Sequence, residues 1–83
     1  MTSEFEKIVE QEKFELLIQR YKEIIAALTR QKADGYIIIH VHDDKREWYR
    51  EVTLSDDTAD VIINDLKRRL NYAEEQLKEL LNQ

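Results

Sequence analysis

Residues 36–54 read YIIIHVH-DDKRE-WYREVTL, and this stretch decides the fold. Tyr36–His42 and Trp48–Leu54 are rich in β-branched and aromatic residues, which suit a pleated half-buried surface. The polar run Asp43-Asp44-Lys45-Arg46-Glu47 separates them, so the stretch reads as a β-hairpin. The register follows from side-chain alternation. If Ile37, Ile39 and Val41 face Leu54, Val52 and Arg50, one face is nearly all apolar and Asp44–Glu47 form a four-residue turn. The other face then carries Tyr36, Ile38, His40 and His42 beside Thr53, Glu51 and Tyr49.

The hairpin is flanked by helical patterns. Upstream, Ser3 and Glu6 form a capping-box signal, and apolar residues recur at Phe14, Leu17, Tyr21, Ile24 and Leu28 in 3, 4, 3, 4 spacing. Leu16, Ile18 and Ile25 widen that face, and Phe5, Ile8 and Val9 make a separate patch at the front. Arg30 and Lys32 suit the negative end of a helix dipole, and Gly35 suits a left-handed residue just past the helix. Downstream, Ser55 is an N-cap signal followed by Asp56 and Asp57. Ala59, Ile63, Leu66, Leu70, Ala73, Leu77 and Leu80 then run through three unbroken heptads, the pattern of a left-handed helical seam.

The expected fold is therefore α+β with order α-β-β-α: helix 4–33, hairpin 36–54 and helix 56–81. The two long helices pack in coiled-coil fashion. The 83 residues suit one domain, 1–83, without a linker or internal repeat. A chain of this length buries roughly 60–65% of its unfolded surface. It has no cysteine to staple the fold. Small domains of this kind gain stability by association, and a two-stranded hairpin is marginal by itself. The expectation is a homo-oligomer, dimer or higher, whose seam uses Leu17, Tyr21, Ile24 and Leu28 with Leu66, Leu70, Ala73, Leu77 and Leu80.

The net charge of −5 disfavours nucleic acid as a partner. No apolar run approaches the ~20 residues of a membrane span. Met1-Thr2-Ser3-Glu4 lacks the basic and apolar regions of a secretory signal, so a cytoplasmic location is expected.

Three clusters could carry chemistry. His40-x-His42, with Glu51 across the strands, offers imidazole and carboxylate, the ligand types of zinc sites. Two solvated histidines on a half-exposed sheet explain it more simply, so no metal or other cofactor is expected. Lys45, Arg46, Trp48, Tyr49 and Arg50 gather cations and rings at the hairpin tip, which could stack a base and pair its phosphates. A charged turn with one aromatic anchor is the plainer account. Lys67, Arg68 and Arg69 read as a solvated helix surface paired to nearby carboxylates such as Asp65. Ser3 and Ser55 are caps, and no nucleophile motif emerges, so an enzyme is not expected.

The passage Val52-Thr53-Leu54-Ser55-Asp56-Asp57-Thr58-Ala59-Asp60-Val61-Ile62 resembles the hairpin-to-helix junction of short phage- or prophage-encoded accessory proteins of helix–hairpin–helix type. The resemblance covers the second half of the chain. It implies an oligomeric module inhibiting a host defence protein. The alternative is sequestration of a signalling nucleotide at a subunit interface. Partner or ligand contacts would then fall on Tyr36, His40, His42, Lys45, Arg46, Trp48, Tyr49 and Arg50.

Overall fold

The computed structural model describes residues 3–35, 37–43 and 48–83, with side chains described for all of these except 41–43 and 48–50. The order is α1 (Glu4–Ala33), β1 (Ile37–Asp43), β2 (Trp48–Leu54) and α2 (Asp56–Leu81). Both helices start where the sequence places caps. The Ser3 side chain accepts from the Glu6 amide at 3.1 Å, and that of Ser55 accepts from the Thr58 amide at 3.3 Å. Past the end of α1, Gly35 has φ 106°, a conformation that a Cβ would strain, and its amide donates to the Lys32 carbonyl.

The strands pair antiparallel in the expected register: Ile37 faces Leu54, Ile39 faces Val52 and Val41 faces Arg50, with His40 opposite Glu51 and His42 opposite Tyr49. A one-residue slip would turn the aliphatic residues of one strand to the other side. The predicted turn, Asp44–Glu47, lies outside the described residues.

The helices lie antiparallel. Near the hairpin, Lys32 pairs with Asp60. At the far end the Lys7 Nζ donates to the Gln83 carbonyl at 3.1 Å. Between these points α2 buries Ala59, Ile63, Ala73 and Leu80, four members of its seven-residue repeat. Leu66, Leu70 and Leu77 are half-buried. The repeat is thus spent largely on α1 of the same chain.

α1 turns toward α2 by a slightly different face from the one its 3, 4, 3, 4 spacing suggests. Phe14, Leu17, Ile18, Tyr21, Ile25 and Leu28 are half-buried, whereas Ile24 is 46% exposed. Successive helical residues are 100° apart, so Ile24 and Ile25 compete for the same contact. Ile25 lies closer in angle to Phe14, Ile18 and Tyr21, and it wins.

The molecule is thin. Its extents are 47 × 32 × 15 Å and its radius of gyration is 16.8 Å, against about 12 Å for a compact chain of this length. A layer of two helices and a hairpin has nothing stacked upon it, whereas domains ordinarily enclose a core between packed layers. α1 consequently has no buried residue. Among the described residues the most enclosed side chain is Ile37 at the base of the hairpin, 1% exposed. Toward the tip the same sheet face opens, and Val52 is 46% exposed. No described helix is long and apolar enough to cross a membrane.

Candidate functional site: a groove between the helices

The groove on one side of the helix pair encloses 470 Å³ between Phe14, Leu17 and Tyr21 of α1 and Arg68, Arg69, Tyr72 and Ala73 of α2. Local sequence explains it. Ala73 is small and buried, so α1 approaches closely there and the larger side chains on either side form walls. Tyr72 stands 63% exposed at the rim. The floor is apolar, and the rim carries phenol and guanidinium groups.

The electrostatics of the rim rest on Asp65. Arg68 donates to one of its carboxylate oxygens, one helical turn away. The Arg69 Nε donates to the other at 2.8 Å. The Arg68 hydrogen bond, with Arg69 adding to it, holds the Asp65 carboxyl below its usual range. The Asp65 charge in turn holds the Arg69 guanidinium above its ordinary value, with the Tyr21 phenol across the groove acting in the same direction. The triad lies wholly on α2 and places two cations at the rim of the apolar floor. Sequence reasoning found the Asp65 pairing but assigned the basic run no site. Within α2 the signal was Arg68, Arg69 and Tyr72 gathered beside the small Ala73; that Tyr21 faces them follows only from the register of the helices.

The opposite side holds a second, shallower groove of 410 Å³, lined by Ile18, Lys22, Glu74, Leu77, Lys78, Leu81 and Asn82. Ile18 and Leu17 are 100° apart on α1, as are Ala73 and Glu74 on α2, which puts the two grooves on opposite faces of the layer.

Of the hairpin residues singled out above, Tyr36, Lys45 and Arg46 lie outside the described residues. The strands place His42, Trp48, Tyr49 and Arg50 by backbone alone. His40 is exposed, and its Nε2 lies 3.5 Å from the Glu51 Oε1 across the strands. Among the described residues no cluster of three or more metal-ligating side chains occurs. Of the seam residues, Leu17 and Tyr21 come together in the larger groove. Leu66, Leu70, Ala73, Leu77 and Leu80 follow the α2 side of the helix contact.

No protein-family model, curated protein or solved structure matches the chain.

Proposed function

We propose that this chain is a non-catalytic, self-associating interaction module that holds its hairpin out to another protein. The observation that carries the reading is the uncovered apolar surface of a single-layer chain. Phe5, Ile8, Val9, Leu16, Val61 and Tyr72 are between 49% and 75% exposed, on a molecule 15 Å thick. Scattered exposed aliphatics are ordinary. Several of them along one pair of helices, with Tyr72 at the rim of a groove whose floor is apolar, are the mark of a docking surface. A second helical layer would turn the pair into a bundle with an enclosed core. The hairpin lies at one end of the helix pair, so it would stay outside that bundle, available to a partner. The resemblance to phage accessory proteins makes that partner a host protein.

Sedimentation equilibrium at micromolar concentration tests the first half, with an assembly of two or more chains expected. A folded chain that stays monomeric would overturn the reading. The second half is tested by retrieval of partners from host lysate with wild type and with Trp48→Ala combined with Arg46→Ala. Equal retrieval would take the hairpin out of the interface.

A further inference from the structure

The larger groove combines aromatic walls with unbalanced charge. Among the described residues its lining holds three rings, Phe14, Tyr21 and Tyr72, two guanidiniums, Arg68 and Arg69, and no carboxylate. Asp65 stands outside that lining and accepts from both arginines. One carboxylate set against two guanidiniums leaves one positive charge over at the rim. Hydrogen-bonding capacity is left over as well. Asp65 takes the Arg68 Nη2 and the Arg69 Nε, whereas each guanidinium has five N–H donors in a planar fork. Both arginines are exposed, so their forks reach solvent beside the apolar floor.

The size of the groove narrows what it can hold. Phe14 and Tyr21 lie seven residues apart, about 10 Å of helix. That length suits two fused rings with one carboxylate and is too short to seat a helix of several turns. The volume of 470 Å³ falls within the range of about 300–1,000 Å³ usual for small-molecule sites. A flat ring gains offset and edge contacts from phenyl and phenol groups. A carboxylate meets a guanidinium fork with two parallel hydrogen bonds, and a single surplus charge selects a monoanion.

We infer that the larger groove binds a small planar aromatic carboxylate, its ring against Tyr21 and Tyr72 and its carboxylate on Arg68 and Arg69. Self-association has other apolar surface to use: Phe5, Val9 and Leu16 lie within about 40° of one another on the side of α1 turned away from α2, and all three are exposed.

The probe is 2-naphthoate, and the control is 2-naphthylmethylammonium, the same ring with a positive group. Each is titrated into nitrogen-15-labelled chain and followed by amide chemical shifts. A ligand of about 13 non-hydrogen atoms on an open groove should saturate with a dissociation constant of about 0.1–1 mM. The shifts for 2-naphthoate should centre on Tyr21, Tyr72 and Ala73, and the ammonium should bind at least about tenfold more weakly. Arg68→Gln leaves one guanidinium against Asp65 and should bring the two ligands to within about threefold of each other. Arg68→Gln with Arg69→Gln leaves Asp65 alone and should favour the ammonium. Tyr72→Ala, at an exposed position, should weaken both ligands alike, by about fivefold. No saturation by about 10 mM, shifts centred away from the groove, equal binding of the two ligands to the wild type, or an anion preference untouched by the arginine substitutions refutes the site. A chain that associates but leaves 2-naphthoate unbound overturns the site and leaves self-association standing, and a monomer that binds it does the reverse.

Discussion

Ile37→Ala is the sharpest probe of how the hairpin is held. Ile37 is 1% exposed and is the largest side chain so enclosed. The substitution deletes three carbons. At about 0.8 kcal/mol for each buried methylene equivalent, the transfer loss is about 2.4 kcal/mol. A residual cavity adds to this, which places the change at about 3 kcal/mol, within the measured range for Ile→Ala in cores. A chain of this size has about 4–12 kcal/mol of stability in all, so the loss is a quarter or more of it. The midpoint of thermal unfolding should fall by about 12–24 °C, at 4–8 °C per kcal/mol for a domain of this length. Far-UV circular dichroism, read at a fixed protein concentration so that association does not confound the midpoint, measures it. Thr53→Ala, on an exposed strand position of the other face, should move the midpoint by no more than a few degrees. A loss below 1 kcal/mol for Ile37→Ala would mean that the hairpin base is not the enclosed point of the fold, and the argument from burial would fail.

Two further outcomes follow from caps and charges. Ser55→Ala should cost about 1 kcal/mol, because Ser55 both accepts from the Thr58 amide and donates to the Thr58 hydroxyl; denaturant titration of the two proteins checks it. The Asp65 carboxyl is held low in the folded state. Its contribution is therefore present above the carboxyl's unfolded value and is lost as pH falls through the lower folded one. Asp65→Asn should thus narrow the gap between neutral and acid melting midpoints, and an unchanged pH profile would deny the Arg68–Asp65–Arg69 triad any part in stability.

The hairpin and α2 were legible in the sequence because each offered one consistent pattern. Aliphatic alternation in Ile37–Val41 and Trp48–Leu54 admits one good register, and Ser55 with its two following aspartates marks a helix start without ambiguity. The face of α1 was less legible. Leu16-Leu17-Ile18 and Ile24-Ile25 are runs of interchangeable aliphatics, and hydrophobicity does not say which member of a run turns inward. The position of α2 decides that, selecting Ile18 and Ile25 and leaving Leu16 and Ile24 open. The groove was hidden for a related reason. Tyr21 and Tyr72 are 51 residues apart, and only the antiparallel register of the helices brings them to one rim.

That register also sets an order in which the chain closes. The pair nearest the hairpin, Lys32 with Asp60, joins residues 28 apart in sequence, whereas the far pair, Lys7 with Gln83, joins residues 76 apart. Closing the longer span from an open chain costs about 0.9 kcal/mol more in loop entropy. Once the hairpin end is joined, each next pair adds only a short increment of free chain. The helices thus zip from the hairpin outward and, in unfolding, fray from the opposite end first. Amide protons in the first turns of α1 and the last turns of α2 are consequently the ones that exchange with solvent through local opening, and those around Ile37, Ala59 and Ile63 require the whole zipper to come apart.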